Sequence, residues 1–232
     1  MTSSGTPMDR AAWLAQRRRN QVERFDTRFA VDFDEHWGAV SATHARMIER
    51  FLARCPPGCE VLDAACGTGK YWPTIVASGR RPTGIDQSAE MLRQAAAKYP
   101  DVPTARLALT DLDAVDRYDA LVCIDAMEYV PPEEWPLVLG AFQRALRAGG
   151  HLYLTVEQAD PATLEAEERW ARQRGHPVVD GEIVGDAGSE DDGAYHFYPS
   201  IERVLAWLDE AGFAVVDRAV GDSYLHLVAR RA

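Results

Sequence analysis

The chain has 232 residues, long enough for one substantial α/β core, alone or with a small cap. Hydrophobic residues make up 47% and charged residues 26%, ordinary values for a globular protein, and the formal net charge is −11. That charge argues against a nucleic-acid partner, whose phosphates call for a basic surface, and no apolar run reaches the roughly 20 residues of a membrane span.

Residues 1–8 are small and polar and read as a disordered tail. No apolar stretch precedes a cleavage site at the start, so no secretory leader is expected and the compartment reads as cytoplasmic. The cysteines, at 55, 59, 66 and 123, lack the paired spacing of a zinc site and read as reduced, inert thiols. Residues 9–30 form a predicted helix carrying Arg10, Arg17, Arg18, Arg19, Arg24 and Arg28, most simply a solvated face. An aromatic stretch, "FAVDFDEHWGAV" (29–40), follows, then a predicted helix over 40–54. Residues 9–54 thus form an N-terminal helical segment ahead of a larger domain over 55–232.

From residue 61 the chain alternates. Strands are predicted at "VLDAA" (61–65), "RPTGID" (81–86), "TARLAL" (104–109), "DALVCID" (119–125) and "HLYLTVE" (151–157). One intervening helix runs from Ser88, a predicted N-cap, to Tyr99. Another aligns Trp135, Val138, Leu139, Phe142 and Leu146 and is expected to stop at Gly149-Gly150. The rhythm implies a mostly parallel sheet with helices on both faces. Residues 158–199 break it, with a charged helical stretch, "LEAEERWARQR", and the acidic run Glu190-Asp191-Asp192, read as a solvated loop. The helix "SIERVLAWLDEAGF" (200–213) and two strands, "AVVDRAV" and "YLHLVAR", complete the chain.

The first strand runs into Ala65-Cys66-Gly67-Thr68-Gly69, a turn that exposes backbone N–H groups to a ligand. The third glycine of a dinucleotide loop is missing. Trp72 stands in its place, where it is expected to obstruct close helix–strand packing. Asp63, beside the loop, is awkward for a pyrophosphate and suited to a cationic amine. Asp86 ends the second strand, 23 residues past Asp63, where a carboxylate accepts from ribose hydroxyls. Asp111 follows the third strand and suits an exocyclic adenine amine. A ligand with an amine, a ribose and an adenine but no phosphate is S-adenosylmethionine (SAM).

"VLDAACGTGKYW", "GIDQSAEML", "LTDLD" and "YDALVCIDAMEYV" resemble, in order and spacing, the motifs of class I SAM-dependent methyltransferases, and "LRAGGHLYLTVE" resembles their later glycine turn and fifth strand. The resemblance covers about residues 58–157 and departs at Ala65, where the family often has glycine. It implies a seven-stranded Rossmann-like sheet, SAM as cofactor, and a helical lid over 9–54. Asp63, Ala65, Gly67 and Gly69 fall to the methionine end of the cofactor, Asp86, Gln87 and Met91 to the ribose side, Asp111 and Leu112 to the adenine, and Ile124 and Asp125 to the sulfonium.

The acceptor pocket is expected from the N-terminal segment, the end of the fourth strand and the insert over 158–199. In "AYHFYPS" (194–200) a strand places His196 and Tyr198 on one face and Tyr195 and Phe197 on the other. His196 is the candidate base, against a purely structural role in an aromatic strand, with Tyr129 and Tyr198 beside it. Phe33, Trp37, Glu128 and Tyr195 are candidate acceptor contacts, and His36 with Trp37 a candidate lid. His151, His176 and His226 read as structural. The aromatic supply favours a flat, small acceptor, methylated at O, N or an indole carbon in secondary metabolism. No metal site is expected, and the protein reads as a monomer or homodimer. The alternative is a non-catalytic SAM-binding scaffold. A nicotinamide enzyme is disfavoured by Trp72 and Asp63.

Overall fold

A computed structural model describes residues 9–185 and 194–232. The tail expected at 1–8 and the run Glu190-Asp191-Asp192 lie outside the described residues. The N-terminal segment comprises Arg10–Arg24 (α1), a wide turn at Phe25–Phe29, Ala30–Trp37 (α2) and Ala42–Leu52 (α3). Asp9 caps α1 by accepting from Ala11 N, and Ser41 caps α3 by accepting from His44 N. The backbone of α2 is kinked at Asp32, with φ −135°.

The alternating part then gives Glu60–Ala64 (β1), Trp72–Ala77 (α4), Arg81–Asp86 (β2), Ala89–Lys98 (α5), Thr104–Arg106 (β3) and Tyr118–Cys123 (β4). It continues with Trp135–Ala145 (α6), Leu146–Glu157 (β5), Pro161–Gln173 (α7), Glu182–Val184 (β6), Tyr195–Phe197 (β7), Ile201–Glu210 (α8), Phe213–Gly221 (β8) and Tyr224–Arg231 (β9). The main sheet has seven strands in the order β3-β2-β1-β4-β5-β9-β8. The first five run parallel, and β9 is antiparallel to both β5 and β8. The α/β, mostly parallel seven-stranded sheet read from the sequence is the fold.

Period-two alternation divides the strands between two cores. Leu62, Leu121, Leu152 and Leu154 face α6 and α8. Val61, Val122, Tyr153 and Val228 face α3 and α4, with Phe51, Trp72 and Ile75 packed among them. So α3 is a sheet-covering helix, and the covering part of the N-terminal segment ends near Trp37.

Two boundaries differ from expectation. Helix α6 ends at Ala145, because Leu146 adopts extended backbone and pairs with Tyr118, which starts β5 five residues early. Gly149-Gly150 then lies inside β5. A Cβ on Gly150 would stand 2.9 Å from the Asp119 carbonyl oxygen, so glycine lets the strand bulge there. The third strand keeps three residues, since at the sheet edge it has only β2 to pair with.

Candidate functional site

Strand order reverses between β1 and β4, and the loop after β1 lies at this switch point, where open α/β sheets place their ligands. Ala65 (φ 62°), Gly67 (52°) and Gly69 (82°) all take left-handed backbone, which folds the loop tightly. Gly67 N donates to Asp86 Oδ2 at 2.9 Å, and Ser88 N donates to Asp86 Oδ1 at 2.8 Å. The end of β2 is thus tied to the loop, with carboxylate lone pairs left over. Burial raises the Asp86 carboxyl, against the lowering effect of these backbone donors.

Trp72 does not obstruct this packing. Its indole is fully buried against Gly69 and Gly84, whose absent side chains make the room: a Cβ on Gly84 would meet Trp72 Cζ2 at 2.5 Å. Trp72 Nε1 donates to Asp63 Oδ2 at 2.9 Å. Asp63 is 2% exposed, and burial, with a smaller contribution from Asp86, pushes its carboxyl up to about 7.

The N-terminal segment covers the loop. Asp26 accepts from Ser88 Oγ (2.6 Å) and Glu90 N (3.1 Å) at the start of α5. Asp34 accepts from Thr68 Oγ1 in the loop and from Lys98 Nζ, each at 2.6 Å. Phe33 lies above Gly67, its Cε1 4.0 Å from where a Cβ would be. Arg10 clamps the far side, donating to Glu182 of the insert (2.8 and 2.9 Å) and to Glu133 (2.5 Å). Arg18 binds Glu134. These contacts give two of the N-terminal arginines partners within the chain.

At the end of β4, Asp125 has left-handed backbone (φ 54°) and its N–H donates to Thr155 Oγ1 at 2.9 Å. Its Oδ1 lies 3.1 Å from His44 Nε2 and its Oδ2 lies 3.7 Å from Lys70 Nζ. Burial acts to raise the Asp125 carboxyl, yet His44 and Lys70 hold it below the usual range. His44 Nδ1 meets Ser41 Oγ at 2.8 Å, and Ser41 donates to Asp222 Oδ2 at 2.6 Å, so a polar chain runs from Asp125 to the surface. Sequence reading passed over His44. The cue was local, a histidine three residues into a helix capped by Ser41, but the partner lay 81 residues away.

The acceptor side forms around the turn Met127–Tyr129. Tyr129 packs on Phe25 (ring centroids 5.4 Å) and on His196 (5.0 Å), and His196 lies 6.0 Å from Tyr198. His196 and Tyr198 share the half-buried face of β7 and its extension, while Tyr195 and Phe197 are buried on the other, as the alternation required. Burial, then nearby carboxylates, raises the Tyr129 and Tyr198 hydroxyls.

The expected site residues therefore divide. Ala65, Gly67, Gly69, Asp86 and Phe33 meet around the loop, Tyr129, His196 and Tyr198 pack together, Gln87 shares a cleft with Tyr129, and Asp125 and Glu128 follow β4. Ile124 (5% exposed), Leu112 (5%) and Met91 (1%) are buried beneath it. Asp63 is sealed under the loop, and Asp111 is exposed on the turn after β3, so the three acids do not form one continuous lining. Trp37, expected to touch the acceptor, is instead 57% exposed at the end of α2, and its neighbour His36 is also on the surface, bonded to Asp32. The kink at Asp32 turns Phe33 and Asp34 onto the loop in their place. The Tyr195 hydroxyl is committed to Glu182 Oε1 (2.5 Å) and its ring packs on Trp13. Tyr195 also lines a narrow cleft with Gln21, Gln87, Tyr129 and Pro131.

A sequence model described as a methyltransferase domain matches residues 61–150, the span from β1 through the bulge in β5. The fold agrees: a SAM-dependent methyltransferase of Methanosarcina mazei superposes with a TM-score of 0.68, at 19% identity, over 80% of this chain and 96% of that one. Residues 61–150 thus match a methyltransferase domain, and the chain has the Rossmann-like fold of SAM-dependent methyltransferases. The 1,6-didemethyltoxoflavin-N1-methyltransferase of Burkholderia thailandensis, with S-adenosylhomocysteine (SAH) bound, is similar at TM-score 0.68 and 17% identity, covering 99% of this chain and 93% of its own. In sequence, a malonyl-[acyl-carrier protein] O-methyltransferase of Pectobacterium atrosepticum is 34% identical over 151 residues, 57% of this chain and 56% of the relative. A ubiquinone biosynthesis O-methyltransferase of Psychrobacter arcticus is 29% identical over 135 residues, 53% of this chain and 49% of the relative. The chain thus spans about half the length of the curated relatives it matches.

The methyltransferase domain's own residues fit the cofactor of this family. Glycine leaves open space over Gly67, where only Phe33 approaches. Buried polar atoms here lack partners, among them Gln21 Oε1 in the cleft with Gln87, the Tyr71 hydroxyl near Asp125, and Glu128 Oε2. Orphaned buried groups of this kind are rare unless a ligand completes them.

Proposed function

We propose that the protein transfers a methyl group from SAM to a small molecule with a flat or amine-bearing acceptor group. One observation carries the reading. Gln87, next to the Asp86 that is tied to the tight loop, shares one narrow cleft with Tyr129, whose ring packs on His196 beside Tyr198. Asp86 accepts the ribose hydroxyls with its remaining lone pairs, and Gln87 and Gln21 border the adenosine. Asp63 Oδ1, the oxygen not taken by Trp72, serves the ammonium of the methionine end through the loop.

The bound sulfonium supplies the electrophile, so the protein aligns the acceptor, excludes water and removes a proton. Alignment alone contributes on the order of 7–11 kcal/mol. Tyr129, His196 and Tyr198, packed on one another, offer an aromatic surface for a planar acceptor to lie against. The −11 charge supports a small-molecule acceptor over a nucleic acid. Among the described residues no helix is long and apolar enough to cross a membrane.

Isothermal titration tests the cofactor: SAH is expected to bind and NAD not to bind. Asp86→Ala is expected to weaken SAH at least about tenfold, near 1.4 kcal/mol. An unchanged affinity removes the ribose assignment. Labelled SAM offered with indoles, phenols and amines then identifies the acceptor class.

A further inference from the structure

Glu128 is 4% exposed, and its Oε2 has no hydrogen-bond partner. Its carboxyl is met only by its own backbone N–H, while Asp125 and Glu157 add like charge nearby. Of those two carboxylates Asp125 is matched by His44 and Lys70, whereas burial and Asp125 raise Glu157. Glu128 is the one of the three that is nearly sealed and has an oxygen with no partner. A buried carboxylate without a counter-charge costs several kcal/mol, and folds tolerate such groups mainly where a ligand completes them.

What surrounds Glu128 describes the missing group. Tyr129, Tyr198 and Tyr224 all lie within electrostatic range of it, from the turn after β4, the residue following β7 and the start of β9. Aromatic faces and carboxylates together favour a cation. Among the described residues no three His, Cys, Asp or Glu side chains converge closely enough to hold a metal ion.

We propose that Glu128 receives a basic nitrogen of the acceptor, making the substrate a primary or secondary amine carried beside a flat apolar body. This rests on the methyltransferase reading and narrows it. The acceptor enters as an ammonium paired with the carboxylate. One N–H proton passes to Glu128, which frees the nitrogen lone pair. The nitrogen then forms its bond to the methyl carbon as the sulfur–carbon bond breaks, and that bond's electron pair stays on sulfur, leaving SAH.

The rival guest is the sulfonium charge of SAM itself. Titrating wild type and Glu128→Gln with SAM and with SAH separates the two, and Gln keeps the shape of Glu. Both proteins are expected to bind both ligands equally within about twofold. Phenethylamine and 2-phenylethanol are then compared on the SAH-loaded proteins by saturation-transfer NMR. Wild type is expected to favour the amine at least fivefold, and Glu128→Gln to lose that preference. A loss of SAM but not SAH affinity in the variant overturns the proposal in favour of the sulfonium. Equal or absent signals from the two probes on wild type overturn it without any variant, as does an amine preference that survives Glu128→Gln. Failure of wild type to bind SAH is a different result, and it removes the methyltransferase reading underneath.

Discussion

His44 Nε2 lies 3.1 Å from Asp125 Oδ1, joining the first turn of α3 to the tip of β4 across 81 residues of sequence. His44 is 4% exposed, so it has almost no water to replace its partner, while Asp125 keeps 31% of its side chain exposed. His44→Ala leaves Asp125 with Lys70 at 3.7 Å and strands the buried chain from Ser41. The variant is expected to lose about 1–3 kcal/mol, read by urea unfolding at pH 7. Unchanged unfolding would show the pair to be idle.

Gly84 sits where β2 passes the Trp72 indole. An added Cβ meets Trp72 Cζ2 at 2.5 Å and Cys66 Sγ at 2.7 Å, inside contact distance on two sides. Gly84→Ala is expected to cost about 1–3 kcal/mol and to weaken SAH binding by shifting the loop. Combining it with Trp72→Phe relieves one of the two clashes. Stability should recover in part, which double-mutant unfolding measures.

Asp63 gives a pH dependence with a defined sign. Its carboxyl is raised to about 7 by burial, whereas an unfolded aspartate titrates near about 3.9. Between those values the folded chain holds a proton that the unfolded chain has released. The stabilisation is therefore full below about pH 4 and lost as pH rises through about 7. Asp63→Asn keeps an acceptor for Trp72 Nε1 and lacks this titration. Wild type should lose stability relative to Asp63→Asn over that window, and parallel curves would reject the assignment.

Asp26 tests the cover. It joins the N-terminal segment to the start of α5 through Ser88 and Glu90 N. Asp26→Ala is expected to cost about 0.5–2 kcal/mol and to speed limited proteolysis between residues 25 and 40. SAH should protect wild type more than the variant. Equal cleavage of the two would mean that the segment is held by its other contacts.

Much of this molecule was legible one segment at a time. Period-two runs such as Val61-Leu62 and Leu121-Val122 name strands buried on both faces. Ser88 and Ser200 announce helix starts, because an N-cap needs only neighbours two or three residues away. The loop at Ala65–Gly69 and the acid at 86 were readable for the same reason: spacing along the chain encodes a turn and a strand end. Leu146 was misassigned because its side chain suits a helix face, while its backbone answers to Tyr118 across the ladder.

Composition and local pattern settle the α/β rhythm, the glycine loop and the alternation of His196 and Tyr198 against Tyr195 and Phe197. Folding settles which polar groups meet. It gives Trp72 to Asp63, His44 to Asp125 and Arg10 to Glu182, sends Trp37 outward and leaves Glu128 without a partner. The reason is one of range. Backbone propensity acts over a few residues, whereas a buried charge is satisfied by whatever the packed chain brings within about 3 Å of it.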